Sequence, residues 1–93
     1  VLIDNKASST HTVIEVNGRD QPGLLHRLTK SLAEQNLQIS SAKISTYGAS
    51  IVDVFYVKDL FGLKLQENKR LESIKGFMLK ALEEVEITKI VEK

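Results

Sequence analysis

The turn Gly18-Arg19-Asp20-Gln21-Pro22-Gly23 holds the residues with the clearest chemical content in this sequence. It lies where a strand-like segment gives way to a helix-like one, and the free backbone N–H groups at the start of a helix favour a carboxylate or a phosphate. Gly23 has no side chain to obstruct a ligand, and the Asp20 carboxylate can hold an ammonium group. The turn can therefore bind both charged ends of an amino acid. A structural alternative stays open, in which Asp20 caps the helix and Pro22 fixes its first turn.

Apolar residues on either side of the turn predict the elements that position it. Residues 11–17 alternate in polarity, as a half-buried strand does, with Thr12, Ile14 and Val16 on one face. From Pro22 to Gln35, leucines recur at three- and four-residue steps, which predicts an amphipathic helix capped by Asp20 or Gln21.

The next segment predicts an antiparallel hairpin. Residues 37–46 are strand-like but change phase, and Ser40-Ser41 is where a bulge would fall. Residues 47–50 form a turn, and residues 51–57 are β-branched and aromatic, with Asp53 as the only polar residue on either face. Such a run is typical of an interior strand.

Apolar residues from Asn68 to about Glu84 repeat at helical spacing and predict a second helix. Residues 86–91 alternate, so they can close the sheet as a last strand or extend the helix. The order predicts an α+β fold, the ferredoxin-like βαββαβ sandwich with an antiparallel sheet and two helices on one face. We expect residues 1–10 to form a leading segment that can add an edge strand, and residues 11–93 to form a single domain.

Length and composition limit what this domain can do. With 93 residues it is too short for a two-domain enzyme, and its net charge of +1 provides no general field to attract nucleic acid or an anionic membrane. It has no cysteine, no apolar run that could span a bilayer and no signal-peptide pattern. We therefore expect a soluble, cytoplasmic domain whose small core benefits from a partner chain.

Two stretches, 12–25 and 39–48, carry a resemblance to a known family. With the element Asp20-x-Pro22-Gly23-Leu24-Leu25, they resemble an ACT domain, the small amino-acid-sensing module of metabolic enzymes, over about residues 12–84. More narrowly, the run 52–64 and the leading residues 3–5 resemble the C-terminal ACT domain of bacterial PII uridylyltransferase/uridylyl-removing enzymes.

This resemblance implies a regulatory role in nitrogen metabolism. Enzymes of that family sense glutamine, transfer UMP to the PII signalling protein when glutamine is scarce and remove it when glutamine is plentiful. The chain has neither the nucleotidyltransferase nor the hydrolase motifs of those enzymes, so we expect it to be a non-catalytic, allosteric fragment. The resemblance implies no metal or other cofactor in this chain, although the longer enzymes use Mg²⁺, and contact with PII only through the longer enzyme.

ACT domains usually pair side by side, and the resemblance places the ligand between the first strand-helix turn of one unit and the second strand of its neighbour. The implied partner is a second ACT unit, either another copy or a neighbouring domain of the longer enzyme, and the implied ligand is glutamine. Carried over residue by residue, the turn contributes Asn17, Gly18, Asp20, Gly23 and Leu24, and the neighbouring strand contributes Ile39, Ser40 and Ser41.

Three other functions remain as alternatives. The chain can be a dimerisation module that binds no ligand. Acyl phosphatases share the fold and use an arginine and an asparagine, here Arg19 and Asn17, but Asp20 would repel the anion. An RNA-binding sheet would expose aromatic residues, whereas Phe55 and Tyr56 are adjacent and so face opposite ways.

Overall fold

The computed structural model describes the backbone of residues 1–91 and the side chains of residues 1–83. Its elements are β1 Leu2–Asp4, β2 Thr12–Arg19, α1 Leu24–Glu34, β3 Gln38–Tyr47, β4 Ser50–Lys58 and α2 Asn68–Val91. The strands form one antiparallel sheet in the order β1-β2-β4-β3. No helix within the described residues is both long and apolar enough to cross a membrane.

Both helices pack on the same face of the sheet. Ile14 of β2 lies opposite Phe55 of β4, and both side chains are fully buried. They form one core with residues spaced at helical steps, which are Leu24, Leu28, Leu32, Ile74, Met78 and Ala81. The α+β sandwich predicted from the sequence is confirmed, with β4 in the interior of the sheet.

The bulge predicted at Ser40-Ser41 is confirmed by a register shift between Ile39 and Ser41 in the pairing of β3 with β4. Ile39 pairs with Val57, and after the shift Ile44 pairs with Asp53. The partners Val57 and Asp53 both have side chains buried on the helix face of the sheet. The bulge therefore keeps Ile39 and Ile44 on that same face despite their change of phase.

Of the two possibilities for residues 86–91, the helix extension is correct, because α2 continues through them to Val91. The last strand of the predicted βαββαβ order is therefore wrong. The edge position that such a strand would take, beside β2, belongs to β1, whose Ile3 pairs with Ile14. The order along the chain is therefore ββαββα, and β1 supplies the hydrogen-bonding partner that the outer side of β2 needs.

The start of α1 also differs from the prediction. The helix begins at Leu24, and its N-cap is Gly23, which adopts a left-handed conformation with φ 76° and makes no side-chain capping bond. The prediction that Asp20 or Gln21 caps the helix is wrong, because the chain turns at Gly23, three residues beyond Asp20 and two beyond Gln21. The backbone N–H of Asp20 instead donates to the Ala49 carbonyl at 2.8 Å, which extends the β2–β4 pairing into the turn.

Candidate ligand-binding site after strand β2

The turn between β2 and α1, residues 20–23, leaves backbone donors free at the helix start. The Leu24 N–H donates to the Gln21 carbonyl at 3.2 Å, and the Arg27 N–H donates to the Gly23 carbonyl at 3.1 Å. The N–H groups of Leu25 and His26 have no acceptor among the described residues. Because Gly23 is exposed and lacks a side chain, an anionic group can approach these donors.

The structure separates the five residues predicted on the turn into two groups. Asp20 and Gly23 are exposed beside the helix start, where a ligand can reach them. Leu24 is buried in the core, and Gly18 permits close packing, because a Cβ atom there would lie 3.4 Å from Leu82 Cδ2. Asn17 lies on the sheet face away from the helices, where its Nδ2 donates to Glu15 Oε2 at 3.0 Å.

Arg27 of α1 also belongs to this region, although no sequence pattern pointed to it. Its Nε donates to the Ala81 carbonyl at 3.2 Å, and Nη1 donates to the Pro22 carbonyl at 3.5 Å. These bonds hold the guanidinium between the turn and α2. Its Nη2 is buried and has no hydrogen-bond partner in the described part of the chain. The turn thus has a fixed positive charge at its helix side.

Asp53 supplies a negative charge beneath the same end of the sheet. The side chain is only 3% exposed, and its Oδ1 has no hydrogen-bond partner among residues 1–83. Burial raises the pKa of this carboxyl, a backbone hydrogen bond from Ser45 lowers it, and the charge of Asp20 raises it. The sequence signal for Asp53 was its position as the single polar residue in an apolar run.

The charges around the turn are arranged in two parts. Arg27 and the free N–H groups of the helix start favour a carboxylate, whereas Asp20 and Asp53 favour a cation. The two carboxylates are close enough for one to raise the pKa of the other, so a cation placed near them would relieve their repulsion. Such an arrangement suits a zwitterion better than a simple anion.

The strand residues predicted for the site lie elsewhere in the same chain. Ile39 pairs with Val57, which pairs in turn with Thr12 at the start of β2, whereas Asp20 is bonded to Ala49 at the opposite end of the sheet. Seven residues of extended strand separate these ends, a distance of about 23 Å. Ile39, Ser40 and Ser41 are all exposed on this distant part of β3.

A groove of about 430 Å³ opens between α1 and α2, and none of the eight predicted site residues lines it. Its lining is mixed and includes the apolar Ile74 and half-exposed Phe77 together with polar side chains such as Glu34 and Arg70. No group of three or more His, Cys, Asp or Glu side chains that could hold a metal ion occurs in the described part of the chain.

Comparison with known proteins agrees with this fold. Residues 7–88 match the model of the ACR family N-terminal ACT domain. A crystal structure of an unknown protein from Galdieria sulphuraria superposes with a TM-score of 0.63 at 20% identity, covering 80% of this chain and 39% of that one. At that identity the likeness supports the fold alone.

Three curated relatives have the name bifunctional uridylyltransferase/uridylyl-removing enzyme. The one from Azospirillum brasilense is 65% identical over 88% of this chain and 9% of its own length. Those from Gluconobacter oxydans and Rhodospirillum rubrum are 54% and 48% identical over 95% and 99% of this chain, and over 9% and 10% of their own lengths. The chain thus spans about a tenth of the curated relatives that it matches. With the family model matching most of its residues, the chain belongs to the ACR family N-terminal ACT domains.

Proposed function

We propose that this ACT domain is a regulatory amino-acid sensor that binds glutamine between two units. The observation that carries the proposal is the pairing of opposite charges at one turn. Free helix-start N–H groups, with the positive charge of Arg27 beside them, favour the α-carboxylate. The exposed Asp20 carboxylate, with the buried Asp53 nearby, favours the α-ammonium. Glutamine comes from the resemblance, since these groups recognise any α-amino acid.

A second unit would complete the site through β3. This strand lies at the sheet edge, and its outer side has no strand partner among the described residues. If two copies pair antiparallel through β3 about a two-fold axis, Ile39 of one copy lies opposite residue 46 of the other. Because residues 46–49 lead to the turn that holds Asp20, residues 39–41 of one copy then lie beside the ligand turn of the other.

Exposed apolar side chains support pairing on this side of the molecule. Ile39 and Ile44 are on the helix face of β3 but remain exposed because α1 does not extend over the sheet edge. Leu25, which is 43% exposed, lies on the side of α1 away from Arg27 and α2. A second copy would remove this apolar surface from water, which favours association.

For the longer protein, we propose the activities named by its relatives, namely uridylyl transfer and uridylyl removal on PII in the cytoplasm, with Mg²⁺ serving the catalytic domains. Glutamine would bind the paired arrangement of ACT units better than other arrangements, and this difference in affinity would shift the enzyme between its activities. This chain would then contribute the sensor and no catalytic group.

Titration of the chain with glutamine, followed by amide NMR, tests the proposal. We expect saturable shifts in residues 20–26 and 39–41, and at least a tenfold loss of affinity in Asp20→Asn, because the variant lacks a charge that faces the ammonium. Glu72→Gln removes the same charge from an exposed position on α2 and should leave the affinity unchanged.

The ligand-free dimerisation alternative makes a different prediction in the same titration. Under it, the chain pairs in solution, but millimolar glutamine shifts no amide of the turn. Equal affinity in Asp20→Asn and Glu72→Gln would also contradict the proposed site, because the ligand would then bind elsewhere.

A further inference from the structure

The loop after β4 exposes three large apolar side chains within four residues. Phe61 is 88% exposed, and Leu60 and Leu63 are each more than half exposed. Single exposed apolar residues are common on protein surfaces, but a contiguous group marks a contact surface. We call residues 60–63 the apolar knob.

Hydrogen bonds hold the knob in one conformation. Asp59 Oδ1 accepts from the backbone N–H groups of Phe61 and Leu63 at 2.8 and 2.9 Å, and the Asp59 N–H donates to the Leu63 carbonyl at 2.8 Å. Gln38 Nε2 donates to the carbonyls of Asp59 and Leu60 at 3.0 and 3.1 Å. A loop that is already ordered before binding loses little conformational entropy when it binds. The hydrogen bonds of Asp59 and Gln38 provide this order in the single chain.

The same bonds fix the position of the knob beside the first residue of β3. It lies at the end of the sheet opposite the ligand turn, since Gln38 pairs with Lys58 whereas Tyr47 pairs with Ser50. Leu60 and Phe61 also line a groove of about 350 Å³ with Gln35 and Asn36, at the C-terminal end of α1. The knob is therefore on the helix side of the sheet, next to the open edge.

We propose that the apolar knob of one copy packs against the first turn of α1 in a second copy, over Leu25, and so forms one wall of the second copy's ligand site. The proposal rests on the β3 pairing in the proposed function. A two-fold axis through the middle of β3 places the start of β3 in one copy next to the end of β3 in the other. That end of the partner also holds the start of its α1, because α1 runs antiparallel to β3.

The surface of the second copy that the knob would contact is inferred from the apolar side chains that β3 pairing leaves exposed. Leu25 is exposed in the first turn of α1, on the side of the helix away from Arg27 and α2. The knob is uncharged and lies near the start of β3, whereas Leu25 lies near its end. The two are therefore about half a strand length from the centre of β3, in opposite directions. Each copy therefore presents both halves of the contact, as a two-fold interface requires.

The absence of cysteine from the chain allows a direct crosslinking test. Phe61→Cys and Leu25→Cys chains are mixed and treated with a short bismaleimide, and we expect a crosslinked heterodimer. The matched control mixes Phe61→Cys with Leu2→Cys, because Leu2 is also exposed but lies on β1 at the far edge of the sheet. This control should yield no more heterodimer than random collision does.

An Ala42→Cys chain tests the β3 pairing independently of the knob. Residue 42 lies near the middle of β3, so two copies of it come close together whenever the strands pair. Crosslinking at residue 42 without any 61–25 product would overturn the knob contact and leave the β3 pairing standing. Absence of both products would overturn both. Strong crosslinking of 61 to 2 would show that the knob contacts a different surface and would also overturn the inference.

Discussion

The two edge strands of the sheet, β1 and β3, differ in length and in exposure. The β1 edge is three residues long, whereas the β3 edge is ten residues long and its side chains are almost all exposed. Long exposed edges with apolar residues invite pairing with another strand, and proteins usually shorten, cover or charge them. The contrast shows that the fold itself covers the β1 edge and leaves the long β3 edge without a strand partner among the described residues.

Polar contacts explain how the β1 edge is closed. Thr12 is fully buried, its Oγ1 donates to Asn5 Oδ1 at 2.7 Å, and it accepts from the Leu65 N–H at 3.1 Å. Lys64 Nζ donates to the Ser8 carbonyl at 2.6 Å. These bonds tie the leading segment to the connection before α2, so the short edge strand stays in place.

Replacing Thr12 should break the closed edge and give the largest effect on stability. Thr12→Val keeps the volume but leaves the Leu65 N–H and Asn5 without their buried partner, so we expect a loss of about 1–3 kcal/mol in the free energy of unfolding. Urea denaturation measures it. The control is Thr46→Val on the exposed strand β3, which should change stability by less than about 0.5 kcal/mol. Equal losses in the two variants would contradict the closed-edge account.

Asp53 lies on β4, next to the open edge strand β3, and its buried carboxyl destabilises the fold when it is charged. Since burial raises its pKa above the ordinary value of 3.8, the folded chain retains a proton that the unfolded chain has lost in the pH range just above that value. Stability should therefore fall as the pH rises through this range. Asp53→Asn should remove that dependence and gain stability at pH 7, by less than the loss at Thr12.

Thermal melting of both chains from pH 3.5 to 7 measures this difference. If Asp53→Asn retains the slope of the wild-type chain, another group is responsible for it. Under the proposed function, the same variant should also bind glutamine more weakly, because an uncharged amide does not attract the ammonium group as a carboxylate does. Stability and binding would then change in opposite directions, as expected for a binding residue that strains the fold.

A charge on the open edge should produce the smallest change in the stability of the single chain. Ile44→Lys changes an exposed position, so we expect the unfolding free energy at low concentration to move by less than about 0.5 kcal/mol. Pairing should weaken at least tenfold, because the two introduced lysines would lie close together on either side of the two-fold axis. Sedimentation equilibrium measures the pairing, and Leu2→Lys on the closed edge is the control. Loss of pairing in Leu2→Lys instead would assign the interface to β1.

The residues of β3 and β4 show why much of the fold could be predicted. Two local patterns were sufficient there. The change of phase at Ser40-Ser41 predicted the bulge, and the run that is apolar on both faces predicted an interior strand. The prediction of a final strand was wrong because the alternation of residues 86–91 is also compatible with a helix. The choice depended on β1, a strand some 80 residues away along the chain, occupying the edge of β2.

The site was less predictable than the fold, because its groups come from separate elements. The turn was found from Asp20 and Gly23, but the position of Arg27 depends on the Ala81 carbonyl of α2, which no spacing within α1 reveals. Asn17 was placed with the turn because it precedes it, yet the alternation of β2 directs its side chain to the opposite face.

The most direct test of the account is the dependence of pairing on glutamine. Sedimentation equilibrium of the wild-type chain, with and without glutamine, measures the dissociation constant of the pair. Because a ligand bound between two units must stabilise their association, we expect the dissociation constant to fall as the glutamine concentration rises, and no such fall in Asp20→Asn. A constant that glutamine leaves unchanged in the wild-type chain would contradict a ligand site shared across the β3 edge.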